Sequence, residues 1–470
     1  MSTFSGLGTA LSSLVAQRQA LDVSAQNVAN ANTVGYTRQR ASLVAVPGQT
    51  LPAMFATGDG IGNGVRAATV DRLGDVFLDA KVRAASSNAS FLTARADALA
   101  TLEKSLGEPS ETGLAAQLAD FWGGWADVAN GSDRDAARAV LLERGVAVAT
   151  AVQTRYSDVQ TQWQQARGTA VALVDRVNAA AASIADLNEK ILAIENSGGT
   201  AHELSDQRDL LVTELSGLVG ASMRTRDNGQ VDVLVGGNAL VSGTHVSTLE
   251  LGGPAAFSQA MAGQSVTVVW ADGAGHRAEL GGGRIAGLVS VLAPAGDGGL
   301  LTGAGARLDG LARSLADAVN DVHAQGVTRD GTPGGPFFTQ DPAGALDLRV
   351  VLTDPASVAA AAPGTGALDG SVAARVAAIG STSEGPDATW RSIVTDLGVQ
   401  AAAATSRATV SQKALQSVSL QQLANAGVDL DEESVSMLAH QRAYEGAARV
   451  LTVIDEMLDT LINRTGIVGR

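Results

Sequence analysis

Apolar side chains recur at intervals of three and four residues at both ends of the 470-residue chain. In residues 4–29 this stripe comprises Leu7, Leu11, Leu14, Leu21 and Val28, with Arg18 as its one polar interruption. In residues 432–463 it comprises Tyr444, Leu451, Ile454, Leu458 and Leu461. Such spacing predicts two amphipathic helices, each with a narrow seam suited to a partner helix. Any fold of this chain has to bury both seams.

The charges of the two ends favour pairing between them. Residues 1–40 contain three arginines and one aspartate, whereas residues 430–470 contain four arginines and seven acids. Opposite net charges favour contact between the two helices. The heptads do not decide whether the helices pair within one chain or pack against neighbouring chains. In the isolated chain the two terminal helices either form a closed coiled coil with each other or stay mobile until neighbouring subunits cover them.

The period of the apolar pattern divides the chain into three regions. We predict a mainly α fold with a β-rich insert: a long helical-bundle middle domain, terminal heptad helices paired as a coiled coil, and a small antiparallel β outer domain. The terminal domain is assigned to residues 1–45 and 425–470. The middle domain takes 46–220, 300–325 and 381–424, and the outer domain takes 221–299 and 326–380. Residues 134–196 predict a helix of about sixty residues, in which Gly145 and Gly168 are the candidate positions for a break, and residues 346–352 predict a strand.

Composition argues against several functions. The net charge is −15, and no polybasic run is present, which disfavours binding to nucleic acid or to an anionic membrane surface. The absence of cysteine excludes disulfides and thiolate chemistry. No run of 18 or more apolar residues occurs, so no membrane span is expected. Residues 1–22 lack the basic and apolar regions of a Sec signal, so we expect any export to use a route that removes no such peptide.

No pattern of catalytic or metal-binding residues is evident. None of the five histidines lies in an H-E-x-x-H motif, no G-x-S-x-G is present, and the glycine-rich residues 58–64 lack the Lys-Ser/Thr of a P-loop and are read as a flexible turn. The acidic run from Asp429 to Glu433 lacks the glycine and the final acid of a calcium loop, and fits a helix N-terminus better. We therefore expect no enzyme activity, no cofactor and no metal.

Several motifs resemble those of one protein family. Residues 26–36 read QNVANANTVGY, which resembles the N-terminal signature of bacterial flagellar axial proteins, and residues 439–463 resemble their closing helix. The interior segments LSDQRDLLV at 204–212, NDVHAQG at 320–326 and DPASVAAA at 354–361 resemble the flagellar hook-associated protein 1 family. The resemblance extends in order over nearly the whole chain and is weakest at 240–300. The chain departs from the family pattern at two places. Its β-rich region is shorter than in many relatives, and its Val34-Gly35 pair resembles the consensus of rod and hook proteins more closely.

The resemblance implies a structural protein of the extracellular flagellum, secreted by the flagellar type III apparatus, that joins the hook to the filament. Implied partners are the hook protein, the second junction protein and flagellin-side subunits, a ring of identical subunits, and an export chaperone on the C-terminal helix. The predicted assembly interface consists of the residues of the two seams together with the turn residues Asn30, Asn32, Gly35 and Tyr36. Alternatives are another axial subunit of hook or rod type, a secreted coiled-coil adhesin, or a secreted wall hydrolase.

Overall fold

The computed structural model describes residues 3–47, 62–271 and 275–464. The long helices are α1 (Thr3–Ala29), α2 (Val76–Leu106), α3 (Leu114–Asn130), α4 (Asp135–Asn196), α5 (His202–Val219), α8 (Leu300–His323), α10 (Pro386–Ala426) and α11 (Leu430–Asp459). Shorter helices are α6 (Phe257–Met261), α7 (Gly283–Leu292) and α9 (Ser371–Ile379), and a π-helical turn, Thr460–Arg464, extends α11. The mainly α prediction is confirmed, and the expected flexible turn at 58–64 lies largely outside the described residues.

The strands form three small antiparallel sheets. Strand β1 (Gln39–Ala45) pairs with β2 (Val65–Arg72). A four-stranded sheet contains β3 (Ser222–Thr225), β4 (Val231–Val235), β5 (Asn238–Ser242) and β6 (His245–Val246), and β7 (Leu249–Gly252) pairs with β8 (Thr267–Trp270). The predicted β-rich insert is therefore confirmed. The predicted strand at 346–352 is wrong: residues 345–347 form a 3-10 turn, and only a single bridge joins Val350 to Phe338.

Local sequence explains where the long helices begin and end. The carboxylate of Asp75 accepts hydrogen bonds from the backbone N–H groups of Phe77 and Leu78, which caps the start of α2. Gly107 ends that helix with φ of 65°, a left-handed conformation that glycine adopts without a Cβ clash. Helix α4 runs unbroken, as one long helix over the predicted region, and neither Gly145 nor Gly168 interrupts it. A Cβ on Gly145 would lie 2.9 Å from a ring carbon of Phe337, so this glycine allows a close aromatic contact.

The main core lies among α2, α3, α4, α8, α9 and α10. Its centre is a group of rings in mutual contact, formed by Phe121, Trp125, His323, Phe337 and Phe338. Although residues 326–380 were assigned to the outer domain, they bury Phe337 and Phe338 in this helical core. That packing favours placing the segment with the middle domain, and the domain boundaries remain a prediction.

A second core joins the β-rich insert to the helices. The inward side chains of β4 and β5 pack on the C-terminal half of α4 and on α5, with Val177, Ile184 and Leu215 fully buried. This contact holds α5 in a fixed position. Helix α5 carries the LSDQRD segment, which bears directly on how the chain ends are held.

Candidate assembly interface at the paired chain ends

Helices α1 and α11 pack against each other in antiparallel orientation, which confirms the predicted pairing of the two ends. A Cβ on Gly6 would lie 3.2 Å from Cδ1 of Ile454, and about three turns further along α1, Nδ1 of His440 lies 2.8 Å from Oε1 of Gln17. Helix α11 starts at Asp429, whose carboxylate accepts from the N–H groups of Asp431 and Glu432. The pairing occurs within one chain, so each end covers part of the other without a neighbouring subunit.

The predicted seam of α11 is the face that meets α1. Ile454 is buried, and Leu451 and Leu458 are half-buried. Tyr444 and Leu461 are 39% and 52% exposed. The stripe therefore turns its centre toward α1 and leaves its flanks accessible. Its role in contacts between subunits remains a prediction.

The seam of α1 is centred on small side chains, not on the predicted leucines. Among the α1 side chains that the structure describes, from residue 5 onward, the buried ones are Ala10, Ala16, Ala20, Ser24 and Asn27. The predicted residues Leu7, Leu14, Leu21 and Val28 are half-buried, and Leu11 is 55% exposed. Helix α1 is held between α11 and the β1–β2 pair, and small side chains let both neighbours approach its axis.

A second apolar stripe on α11 lies beside the face that packs on α1 and was missed in the sequence. Its members follow steps of three and four and are all exposed: Val435, Ala439, Ala443, Gly446, Val450, Val453 and Met457. Three of the larger side chains, Val450, Val453 and Met457, are about half exposed. The signal was present in the sequence, because these positions share the period of the first stripe, but small side chains made it weak.

The turn that follows α1 is built around Asn27. The side-chain amide of Asn27 donates to the carbonyl of Gln39 at 2.8 Å, and its Oδ1 accepts from the Gln39 N–H at 3.0 Å and from the Tyr36 hydroxyl at 2.8 Å. Burial, followed by the nearby charges of Glu203, Asp206 and Glu433, raises the pKa of Tyr36 to about 12. The Tyr36 hydroxyl is therefore held as a proton donor.

The other predicted turn residues shape this exit from α1. The Asn30 amide donates to the carbonyl of Gln26 at 3.0 Å, and Asn30 Oδ1 accepts from the Thr33 hydroxyl at 3.2 Å. Gly35 has φ of 83°, a conformation that favours glycine. Asn32 is exposed. Asn30 and Gly35 thus set the path of the chain, and Asn32 is presented to solvent.

Charged side chains bind the N-terminal turn to α11. The guanidinium of Arg38 donates from Nε to Glu433 at 2.6 Å and from Nη1 to Glu432 at 2.7 Å. Burial lowers the pKa of Arg38, but its hydrogen bonds to both glutamates outweigh that effect, and the pKa is raised. The backbone N–H of Arg38 also donates to the carbonyl of Ala426 at 2.9 Å.

A second set of charges binds the same turn to α5. The Thr37 N–H donates to Asp206 at 3.1 Å. Arg72 on β2 forms an ion pair with Asp206 at 3.2 Å and donates a hydrogen bond to Asp209 at 2.6 Å. Burial raises the pKa of Asp206, although Thr37 and Arg72 oppose this. The N-terminal signature, the acidic start of α11 and the LSDQRD segment therefore meet at one place.

The described ranges contain no group of three or more histidine, aspartate and glutamate side chains placed to hold a metal ion. No helix within them is long and apolar enough to cross a bilayer. The arrangement at the chain ends is one of packing faces and tethering ion pairs. It is suited to holding two helices in a fixed orientation.

Family models match three parts of the chain. A model described as the flagellar hook-associated protein FlgK helical domain matches residues 99–338. Models described as flagella basal body rod protein and as flagellar basal body rod FlgEFG protein C-terminal match residues 7–37 and 421–464. The two terminal matches cover the paired helices, and the central match covers most of the helical core.

Whole-chain comparisons agree with these matches. Flagellar hook-associated protein 1 of Bacillus subtilis (strain 168) is 30% identical over 517 aligned residues, which cover 100% of both chains. The protein of the same name from Escherichia coli (strain K12) is 30% identical over 71% of this chain and 59% of its own length. The structure of the flagellar hook junction protein FlgK from Burkholderia pseudomallei matches 73% of this chain and 99% of that chain, with a TM-score of 0.62 and 16% identity. The structural match shows a shared fold.

Proposed function

The chain belongs to the flagellar hook-associated protein 1 family, and from this premise we propose that it is a structural subunit that joins the flagellar hook to the filament. It is not an enzyme, as the family is a structural one. As a member of this family it is part of the extracellular flagellum. Secretion through the flagellar type III apparatus is part of the proposal.

The observation that carries the proposal is the exposed stripe of α11. Half-exposed Val450, Val453 and Met457 lie on a helix whose other face already packs on α1. Burying such a stripe stabilises a contact by roughly 25 cal/mol per Å² of apolar area. Because Arg38 ties the turn after α1 to α11 and Arg72 ties β2 to α5, the stripe is presented in one orientation.

We assign this stripe and the flanks of the first seam, including Leu11, Tyr444 and Leu461, to contacts in a ring of identical subunits. The proposed neighbours are the hook protein on one side and the second junction protein with flagellin-side subunits on the other. Before assembly, the same C-terminal helix is the proposed binding site of an export chaperone. A chaperone that covered the stripe would keep α11 from associating early.

The test compares two substitutions on one turn of α11. Val453→Glu places a charge in the exposed stripe, whereas Thr452→Glu places it at an exposed position outside both apolar faces. We expect Val453→Glu cells to make hooks without filaments, and Thr452→Glu cells to swim. Both purified proteins should melt like the unmodified chain, because neither position is buried. Normal filaments in the Val453→Glu strain would contradict the assigned interface.

Two further experiments address the subunit as a whole. Chains lacking residues 1–35 or 435–470 should leave a folded, monomeric helical core that supports no filament growth. Leu458→Asp, within the face toward α1, should block assembly while the middle domain keeps its melting temperature. A truncated chain that restored motility would count against the proposal.

Another axial subunit is the alternative favoured by a specific observation, since both terminal segments match rod-protein models. Electron microscopy of a deletion strain separates the two. Intact hooks without filaments support the junction function, whereas absent hooks support a hook or rod subunit. Immunogold labelling should place the protein at the distal end of the hook.

A further inference from the structure

A cavity of about 530 Å³ lies between α2, the turn from α5 into β3, and the loop before α7. Its wall is mainly apolar, with Ala80, Ala84, Phe91, Met223, Leu280 and Ala286 among the lining residues. Ala84 and Ser222 at its rim are exposed, so the cavity opens to solvent. Its volume is in the range of small-molecule sites, which typically have apolar walls and a few polar groups.

One charged side chain in this wall has no direct partner. Arg83 is only 6% exposed, yet in the part of the chain that the structure describes its guanidinium has no hydrogen bond and no ion pair. The charges of Asp79 and Asp209 attract the guanidinium from a distance. However, the Asp79 carboxylate accepts a hydrogen bond from Gln422, and the Asp209 carboxylate accepts one from Arg72. A largely buried guanidinium to which the described protein groups offer no acceptor favours water or a ligand that supplies one.

Other groups of the wall also favour an anion. The hydroxyl of Ser87 lies over Gly282, since a Cβ on that glycine would be 2.4 Å from Ser87 Oγ. Gly281 and Gly282 line the cavity immediately before the first turn of α7, which contains no acidic residue and has no side-chain cap. The N-terminus of a helix carries a partial positive charge. Arg83, the Ser87 hydroxyl and this helix end therefore converge on one space.

We propose that this cavity is a binding site for a small carboxylic acid with a short apolar stem. The carboxylate would accept hydrogen bonds from the Arg83 guanidinium, and the stem would lie on Phe91, Met223 and Leu280. Arg83 is the only cation among the described lining residues, and Asp79 and Asp209 oppose a second negative charge. The site therefore suits a monoanion better than a phosphate dianion.

The test measures binding of 4-methylpentanoate to the full-length chain by isothermal titration calorimetry. Its neutral isostere 4-methylpentanamide and inorganic phosphate serve as comparison probes. We expect saturable binding of one carboxylate per chain and at least about tenfold weaker binding of both comparison probes, because one charge-assisted hydrogen bond is worth that factor. Equal binding of the amide or of phosphate would overturn the proposal, as would no saturable binding of the carboxylate.

Three variants locate the site. Arg83→Gln removes the guanidinium, and Ala84→Leu fills the cavity while it leaves Arg83 in place, so the two should each weaken binding at least about tenfold. Lys81→Gln removes one charge from an exposed position of the same helix outside the wall and should bind like the unmodified chain. Circular dichroism checks the fold, and Ala84→Leu decides the question if Arg83→Gln fails to fold. Undiminished binding by a folded Ala84→Leu protein would overturn the assignment.

Discussion

Arg38 and Glu433 are 395 positions apart in the sequence, and their side chains meet at 2.6 Å at the junction of the two chain ends. The side chain of Glu433 is 3% exposed, so its carboxylate depends on Arg38 for a counter-charge. The same guanidinium reaches Glu432, whose side chain is 63% exposed. Two adjacent glutamates thus share one arginine in different surroundings.

The difference between these glutamates predicts unequal effects of the same substitution. Glu433→Gln should destabilise the paired termini by about 2–3 kcal/mol, because Arg38 loses its buried partner. Glu432→Gln should cost less than about 0.5 kcal/mol, since water screens the exposed pair. Hydrogen exchange of peptides from α1 and α11 measures both. Equal protection in the two variants would show that the burial of Glu433 contributes nothing.

Removing the Tyr36 hydroxyl should loosen the turn after α1. Tyr36→Phe leaves Asn27 without one of its donors and should cost about 1 kcal/mol at neutral pH, measured by urea denaturation. Tyr444→Phe, at an exposed tyrosine, is the matched control and should change stability by less than about 0.5 kcal/mol.

The raised pKa of Tyr36 also predicts a pH dependence. Between its ordinary value of 10.0 and its folded value of about 12, the unfolded chain releases this proton and the folded chain keeps it. Stability should therefore fall as the pH rises above 10.0, and Tyr36→Phe should show a smaller fall. Denaturation midpoints on either side of 10.0 check this. An identical alkaline loss in both proteins would contradict the assignment.

His323 predicts a loss of stability in mild acid. It is fully buried, its Nδ1 donates to the carbonyl of Gly335 at 2.6 Å, and its Nε2 accepts from the N–H of Ala359 at 2.8 Å, which fixes the neutral ring. Burial lowers the pKa of His323, and nearby Arg138 lowers it further, although the bond to Gly335 opposes this.

Below the ordinary pKa of 6.5, the unfolded chain gains a proton that the folded chain does not take up. Stability should thus fall with decreasing pH by at most about 1.4 kcal/mol per pH unit from this group. His323→Gln should be less stable at neutral pH, but with a shallower acid slope. His440→Gln, at a half-buried histidine of α11, should keep the full slope if His323 is its source.

The buried face of α1 predicts where a larger side chain is tolerated. Ala16 is 1% exposed, so Ala16→Leu should destabilise the terminal pair by about 1–3 kcal/mol through overpacking. Leu11→Ala, at a position that is 55% exposed, should change monomer stability by less than about 0.5 kcal/mol. Thermal unfolding of the protein, together with hydrogen exchange of peptides from α1, measures the stability change in both variants. The opposite order would restore the leucine seam as the buried one.

Helix type, helix ends and the seam of α11 were readable in the sequence, because they depend on neighbours three or four residues away. The acidic helix start at Asp429 and the stripe through Leu451, Ile454 and Leu458 are of this kind. Residues 346–352 misled the prediction, because an apolar run alone cannot distinguish a strand from a buried loop that packs on α4 and α8.

Only the tertiary structure decided which face of α1 is buried and how the chain ends are tethered. Periodicity marks the largest side chains, but the close approach of α11 and of the β1–β2 pair selects Ala16 and Ala20 for burial instead. The Arg38–Glu433 ion pair joins two segments that are distant in the sequence. The Arg83 guanidinium has no partner because no described segment of the folded chain brings an acceptor to it. Local patterns carry no record of such neighbours, because these residues are far apart in the sequence and meet only in the folded chain.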